Sequence, residues 1–136
     1  RRGGDFVESA IAKQIVAIEN GSEAVVKIGN TAARRDWLHV SDVIDAYLAL
    51  AESGKVGEVY NIGSGVSHSV QELLDTMLSF SKIKPKIETD ESKMRKVDER
   101  DLRADISKIK KDTGWKPKLT FEKMCEDTLN WWRKQS

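Results

Sequence analysis

Apolar residues recur at spacings of three and four along several stretches of the chain, which is typical of helices with one buried face. In the first stretch, Val7, Ile11, Ile15 and Ile18 fall on a single stripe. The predicted helices cover residues 5–19, 43–52, 70–80, 105–111 and 121–133. Asp5 with Glu8, and Ser69 with Glu72, have the spacing of capping boxes at the starts of the first and third helices.

Short β-branched runs between these helices predict strands. The predicted strands are Ala24–Gly29, Trp37–Val40, Val59–Ile62 and Lys86–Glu88. The alternation of helices and strands favours an α/β fold with at least some parallel pairing. In the helix over 43–52, which we expect Ser41 or Asp42 to cap, the apolar positions surround much of the circumference and predict heavy burial.

The size of the chain, 136 residues of which 39% are hydrophobic, fits one globular domain or a piece of a larger one. A single cysteine excludes an internal disulfide framework, so we expect a reducing, cytoplasmic setting. No apolar run approaches the ~18 residues of a membrane span. Because the chain opens with Arg-Arg-Gly-Gly, without a methionine or an apolar leader, we expect this start to be a cut in a longer protein.

The net charge of +1 conceals an uneven distribution of charged residues. Residues 1–81 carry 7 Lys/Arg and 11 Asp/Glu, net −4, whereas residues 82–118 carry 13 and 8, net +5. The eight acidic residues interleaved through the basic segment argue against a nucleic-acid partner.

The sequence predicts neither a catalytic constellation nor a cofactor or metal site of its own. Gly63-Ser64-Gly65 has only two of the three glycines of a dinucleotide-binding turn, so we expect an ordinary turn there. Tyr47 and Tyr60 are not followed by lysine four residues later, so the Tyr-x-x-x-Lys pair of a short-chain dehydrogenase is missing. The scattered His39, His68 and Cys125 lack the spacing of metal ligands, and Cys125 is expected in the core.

Arginines offer a more specific candidate site. Arg35 stands in a loop that enters a predicted strand, and Arg95 and Asp98 lie in the basic segment. A planar guanidinium can donate two parallel hydrogen bonds to a phosphate, and a diphosphate needs two such donors from separate segments. The alternative is that each of these residues is a solvated surface charge.

Four blocks of sequence, in order over nearly the whole chain, carry a resemblance to a known family. They are Arg35–Val43 (RDWLHVSDV), Val59–Gly65 (VYNIGSG), Ser69–Leu73 (SVQEL), and a C-terminal set. That set comprises Arg95, Asp98, Asp105, Ser107, Lys108, Gly114, Trp115 and Pro117. Together they resemble the extended short-chain dehydrogenase/reductase, or NAD-dependent epimerase/dehydratase, family of enzymes that act on nucleotide sugars.

Within that family, the opening Arg1–Val7 and the Ile28-Gly29-Asn30 turn are most similar to the GDP-sugar branch. That branch contains GDP-mannose 4,6-dehydratases and GDP-4-keto-6-deoxymannose reductases. A lysine of the dehydratases is matched here by Ala10, which departs from their pattern. The resemblance covers only the C-terminal, substrate-binding part of such Rossmann-type enzymes. It therefore implies that residues 1–136 are the nucleotide-sugar-binding region of a larger enzyme, without its N-terminal cofactor-binding half.

By motif position, the resemblance implies that Val7 lines the nucleotide-base pocket. It also implies that Arg35 and Arg95 hold the diphosphate, and that Asp98 accepts a hydrogen bond from ribose or another polar part of the nucleotide. Asp36 and His39 would mainly stabilise the loop and strand around them. In the family, NAD or NADP is bound by the missing half, and a hydride passes between C4 of the sugar and the nicotinamide in lyase or oxidoreductase reactions. This region alone would hold no cofactor and be inactive.

Two alternatives remain open at this point. The substrate could be a UDP- or dTDP-sugar of an epimerase or dehydratase in the same family, or the chain could be a non-catalytic, stand-alone binding or interaction module. The expected partners are a nucleotide-diphosphate sugar and the missing half, with a homo-oligomer as a further possibility and no membrane partner. The sequence does not fix the sugar, the choice between NAD and NADP, or the oligomeric state.

Overall fold

Helices and strands alternate along the chain in the computed structural model, which describes residues 6–94 and 100–135. The helices are α1 (Val7–Glu19), α2 (Val40–Ser53), α3 (Val70–Ser79), α4 (Ser107–Thr113) and α5 (Phe121–Arg133). The strands are β1 (Val25–Ile28), β2 (Arg34–Arg35), β3 (His68–Ser69), β4 (Lys86–Thr89) and β5 (Asp101–Leu102). A 3-10 turn, Glu91–Lys93, follows β4. The predicted Asp5 capping box lies outside the described residues.

The strands form two small sheets. β1 pairs with β4 in parallel, from Val25 opposite Lys86 to Ile28 opposite Thr89. In the second sheet, β2 lies between β3 and β5, antiparallel to β3 and parallel to β5. The two parallel pairs confirm the predicted α/β fold with parallel pairing.

Three helices and a strand enclose the main core. α1 packs against α3, α5 and β1, and α3 also packs against α5. The stripes predicted from the sequence meet here: Ile15 of α1, Leu73 of α3 and Leu129 of α5 are fully buried. At one end of this helical layer, the Arg133 guanidinium donates to both carboxylate oxygens of Glu19, at 2.6 and 2.9 Å, and to the carbonyl of Phe80.

One backbone edge of β1 is satisfied by a side chain instead of a strand. The Gln14 amide nitrogen donates to the carbonyl of Lys27 at 3.2 Å, and the Lys27 N–H donates back to Gln14 Oε1 at 2.8 Å. Lys93 Nζ also donates to the Lys27 carbonyl, at 2.9 Å. Lys27 therefore has its backbone donor and acceptor paired on the edge away from β4.

A smaller cluster joins α2 to α4. Ala46, Ile109 and Trp115 are buried together, and around them lie the half-buried Leu38, Ala49, Leu50, Tyr60, Ile62 and Ile106. Gly114 ends α4 at φ 72°, a left-handed conformation that glycine adopts without steric cost. The segment before β3 is fixed to α4 by Tyr60, whose hydroxyl donates to Asp112 Oδ2 at 3.0 Å.

Several predicted elements differ from the structure near α2. The strand predicted over Trp37–Val40 is wrong, because the pairing residues are Arg34–Arg35 and Val40 already begins α2. The predicted cap is also wrong: His39 caps this helix by accepting the Ser41 N–H on Nδ1 at 3.1 Å. The helix therefore starts three residues before the predicted Val43.

Two further predictions are wrong, because the predicted strand and the outer face of α2 have no packing partner among the described residues. Val59–Ile62 forms no strand, because no described strand pairs with it. The heavy burial predicted for α2 is wrong: Ile44, Tyr47 and Leu48 are 53, 62 and 59% exposed. Only Asp42 and Ala46 of this helix are buried, because α4 contacts one side of it and the opposite side faces solvent.

No helix of the described residues is long and apolar enough to cross a bilayer.

Candidate functional site

The predicted diphosphate residue Arg35 lies on the central strand of the three-stranded sheet. Arg34 stands opposite Asp101 and Arg35 opposite Leu102 in the parallel β2–β5 pair. The backbone N–H of Arg34 donates to the carbonyl of Arg100 at 2.9 Å. The pairing and this hydrogen bond place Arg100 and β5 beside β2.

The two neighbouring arginines of β2 are used differently. Arg34 Nη2 donates to the Ser67 carbonyl at 2.6 Å, and its Nη1 lies 3.5 Å from the Glu72 carboxylate. The pKa of Glu72 is lowered, first because its carboxylate accepts the Ser69 backbone N–H in a complete capping box, and then by the charge of Arg34. Arg34 thus connects β2 to the start of α3. Arg35 is half-buried, and its Nη1 donates to the Arg34 carbonyl at 2.7 Å.

Asp36, the next residue, bonds to two distant parts of the backbone. Its Oδ1 accepts the Ser64 N–H at 2.7 Å, and its Oδ2 accepts the N–H groups of Gly65 at 3.0 Å and Ala104 at 3.2 Å. One carboxylate therefore connects the end of β2, the glycine turn and the segment after β5.

Gly63 allows this close approach of three segments. A Cβ at Gly63 would lie 2.6 Å from Asp36 Oδ2 and 2.5 Å from the Ala104 Cβ. Real side chains do not tolerate such distances, so a larger residue would push the segments apart.

The same geometry tests whether Gly63-Ser64-Gly65 could hold the pyrophosphate of a dinucleotide. A glycine-rich turn does so by directing free backbone N–H groups at the phosphates. Here the Ser64 and Gly65 amides already donate to Asp36. The turn also leads into the two-residue strand β3 instead of a helix. These residues do not fit the phosphate-binding turn of NAD(P), in agreement with the prediction of an ordinary turn.

The other predicted site residues are placed as follows. Val7 is the first residue of α1 and is half-buried against the main core. Arg95 and Asp98 lie outside the described residues. The structure thus places Val7 on the helical layer and Arg35 on the second sheet, and the predicted roles of all four residues in nucleotide binding stay predictions.

The two histidines and the cysteine make structural contacts: a helix cap, a ring stack and core packing. His39 caps α2, so its Nε2 carries the proton that points to Asp127 Oδ2, 3.3 Å away. The His68 ring stacks on Phe121 with centroids 3.8 Å apart. Cys125 is fully buried, and this burial raises the pKa of its thiol to about 12, as expected for a core cysteine. Within the described residues, no group of three or more His, Cys, Asp or Glu could hold a metal ion.

A cleft of about 280 Å³ opens beside the glycine turn. Its lining includes the rings of Trp37, His68 and Phe121, together with Ser64 and Val66 of the turn segment. The cleft thus places aromatic side chains beside the glycine turn that hydrogen-bonds to Asp36.

Two aspartates hold distant segments of the backbone together, which the sequence did not predict. Asp42, only 1% exposed, accepts the backbone N–H groups of Lys118 and Leu119 at 3.1 and 3.0 Å. Asp36 was expected to act locally, yet its partners lie 28 to 68 residues away. The sequence signal that could have pointed to them is that both aspartates lie in one block, Arg35–Val43. The apolar periodicity of a helix or strand gives no reason for either acid.

Comparison with known proteins relates this geometry to a family. The family model for GDP-mannose 4,6 dehydratase matches residues 1–128. The chain is 32% identical over 128 residues to GDP-6-deoxy-D-mannose reductase of Pseudomonas aeruginosa, covering 93% of this chain and 42% of that protein. It is 30% identical over 133 residues to dTDP-D-glucose 4,6-dehydratase of Mus musculus, covering 95% and 37% respectively.

A solved structure supports the same relationship. The structure of RMD from Pseudomonas aeruginosa complexed with NADPH superimposes with a TM-score of 0.92 at 30% identity, covering 99% of this chain and 45% of that one. The chain thus spans less than half the length of these relatives. It belongs to the GDP-mannose 4,6 dehydratase family and corresponds to the C-terminal part of Rossmann-type extended short-chain dehydrogenase/reductase enzymes.

Proposed function

We propose that this chain is the nucleotide-sugar-binding part of an NAD(P)-dependent GDP-sugar 4,6-dehydratase or 4-keto-reductase. The observation that carries the proposal is the parallel pairing of β2 with β5, which places Arg100 beside the strand that contains Arg35. In this proposal, Arg35 and Arg95 bind one diphosphate from separate segments. Each guanidinium offers a pair of donors that matches a phosphate group.

The other two residues bind the nucleoside in this proposal. Val7 lines the base pocket from the first turn of α1, where its side chain is only half-buried. Asp98 accepts a hydrogen bond from the ribose or another polar part of the nucleotide. The match to a GDP-sugar family model over residues 1–128 supports a guanine nucleotide.

The cofactor and the catalytic groups belong, in this proposal, to polypeptide beyond this chain. NAD(P) accepts or returns the hydride at C4 of the sugar when it is bound there. The NADPH complex of the Pseudomonas aeruginosa relative supports a nicotinamide cofactor for the intact enzyme. Because Asp36 already uses the turn amides, the described residues of this chain offer that cofactor no glycine-rich cradle. The chain alone is therefore inactive.

The exposed side of α2 is the surface that this further polypeptide covers. Val40, Ile44, Tyr47 and Leu48 recur at the spacing of one helical face, and each is at least half exposed. Val56 and Val59, which follow the helix in sequence, are also exposed. An exposed apolar helix face of this kind marks a surface that packs against another polypeptide.

A second candidate substrate class is a dTDP-sugar. The mouse dTDP-D-glucose 4,6-dehydratase, 30% identical over 95% of this chain, favours it. The diphosphate contacts would be the same, and the two substrates would differ at the base pocket.

Calorimetric titration of GDP, UDP and dTDP into the full-length protein tests the nucleotide. We expect GDP to bind most tightly. Arg35→Ala and Arg95→Ala should each weaken that binding by roughly 1.5–3 kcal/mol, the range for hydrogen bonds to charged groups. Lys84→Ala, which removes an exposed charge from the same basic segment, is the control and should leave the affinity unchanged. Unchanged affinity in both arginine variants would overturn the diphosphate assignment, and preferential binding of dTDP would favour the second candidate.

An assay for turnover tests whether catalysis requires polypeptide beyond this chain. The 136-residue chain, mixed with NAD(P)⁺ or NAD(P)H and GDP-mannose, should form no product detectable by chromatography. Turnover by this chain alone would overturn the placement of catalysis on further polypeptide.

A further inference from the structure

Asp36, the residue after Arg35, makes contacts that reach beyond its own loop and strand. Asp36 follows β2 without a gap, so its position and that of Arg35 are coupled through one peptide bond. Its carboxylate accepts three backbone N–H groups from two other segments, at 2.7, 3.0 and 3.2 Å. We call these three hydrogen bonds the Asp36 joint. They are strong, because hydrogen bonds to ionised groups are stronger than those between neutral groups.

The Asp36 joint also holds β5 beside β2. Arg100 leads into β5, and the N–H of Ala104, two residues after β5, donates to Asp36. β2 and β5 pair over only two residues each, which is too short to fix a strand firmly. The Asp36–Ala104 bond therefore extends a short pairing with a third point of attachment.

We infer that Asp36 is a positioning residue for the diphosphate site: it holds Arg35, the glycine turn and the segment after β5 in one arrangement. This inference rests on the proposed function, because it assumes that Arg35 binds the diphosphate. Asp36 itself touches backbone amides and acts on the ligand only through Arg35.

Asp42 provides a matched control within the same helix-and-strand region. Like Asp36, it is a carboxylate that accepts backbone N–H groups of a distant segment, here Lys118 and Leu119. Its partners lead into α5 and not toward β2 or β5. Asp36→Asn and Asp42→Asn should therefore lower stability for the same reason, while only Asp36→Asn should change ligand affinity.

The test is calorimetric titration of whichever of GDP, UDP and dTDP the full-length protein binds, at a temperature where all variants are folded. We expect Asp36→Asn to weaken binding about tenfold, equivalent to the loss of one well-placed hydrogen bond, and Asp42→Asn to leave it unchanged. The double variant Arg35→Ala/Asp36→Asn should bind no more weakly than Arg35→Ala alone, because Asp36 acts through Arg35. Asp36→Glu should restore part of the affinity, since it keeps the charge.

Gly63→Ala perturbs the same joint without removing the carboxylate, and it serves if Asp36→Asn does not fold. Its control is Gly54→Ala, where an added Cβ would approach the Leu50 carbonyl oxygen to 2.5 Å at the end of α2. Gly63→Ala should weaken binding and Gly54→Ala should not.

The outcomes separate this inference from the proposed function. If Arg35→Ala weakens binding while Asp36→Asn and Gly63→Ala do not, Asp36 is not a positioning residue and the proposed function stands. Additive losses in the double variant, or equal losses in Asp42→Asn, also overturn the inference. If the unmodified protein binds none of the three nucleotides, the proposed function and the inference fall together.

Discussion

The layer of α1, α3 and α5 and the region around α2 have similar amphipathic sequences but different surroundings. In the first, the apolar stripes face one another over β1, and residues such as Ile15, Leu73 and Leu129 are fully buried. In the second, α2 contacts α4 on one side, and Tyr47 and Leu48 on the other remain about 60% exposed. An apolar helical face therefore predicts that something packs against it, but not that the partner belongs to the same stretch of chain.

The largest effect should come from the enclosed layer. Leu73→Ala should lower the free energy of unfolding by about 2–5 kcal/mol, because a fully buried leucine leaves a cavity. Urea denaturation followed by circular dichroism measures this loss. Leu48→Ala, at an exposed position of α2, is the matched control and should change stability by no more than about 0.5 kcal/mol. Equal losses in the two variants would contradict the distinction between the regions.

The next effect concerns the attachment of α2 to the chain before α5. Asp42→Ala should destabilise the protein by about 1–3 kcal/mol, because the N–H groups of Lys118 and Leu119 lose a buried acceptor. Asp45→Ala removes only the exposed ion pair with Lys118 and should cost less than about 1 kcal/mol. The two denaturation midpoints compare them directly, and a larger loss for Asp45→Ala would show that the buried carboxylate does not hold this segment.

A smaller effect should depend on pH and belongs to the enclosed layer. The pKa of Glu19 is lowered from its usual 4.5, first by hydrogen bonds from the Arg133 guanidinium. A lowered folded-state pKa stabilises the protein above the unfolded pKa, and this contribution disappears as the pH falls through the folded value. Glu19→Gln should therefore cost about 1 kcal/mol at pH 7 and progressively less below about pH 4.5.

Urea denaturation of Glu19→Gln and the unmodified chain between pH 3 and pH 7 checks this dependence. Glu52→Gln, which changes an exposed carboxylate near the end of α2, is the control for a general loss of negative charge. A difference between Glu19→Gln and the unmodified chain that stays constant down to pH 3 would argue against a role for the Glu19 charge.

The smallest effect on stability should come from the open side of α2. Tyr47→Ser should change the free energy of unfolding of this chain by less than about 0.5 kcal/mol, since the side chain is 62% exposed. In the full-length protein the same change should be clearly destabilising, because the proposed covering polypeptide would lose its contact. A comparison of the two denaturation curves measures this, and equal effects would argue that nothing covers this face.

The sequence predicts those elements whose stabilising neighbours lie close by in the chain, and it fails for elements whose partners are distant. The bounds of α5, Phe121–Arg133, and the Ser69–Glu72 capping box were predicted and are confirmed, because both depend on neighbours within a few turns. The strand β2 was misplaced because two residues carry no periodicity, and its pairing partners in β3 and β5 lie about 34 and 67 residues away in sequence.

The candidate site shows the same limit. Residue chemistry identified Arg35, Arg95 and Asp98 from the sequence, and the resemblance added Val7; Arg95 and Asp98 lie outside the described residues. The three amide contacts of Asp36 were not predicted, because they join segments that only the tertiary fold brings together.

The side-chain contact on the edge of β1 has a consequence for self-association. A chain with an open apolar helix can associate face to face, while an unpaired strand edge can add a strand from another copy. Gln14 occupies both backbone groups of Lys27, so strand addition at this point must first displace a glutamine amide. Of these two surfaces, α2 is the more open to association, so polar substitutions on α2 should dissolve oligomers of this chain while changes on the edge of β1 that Gln14 covers should not.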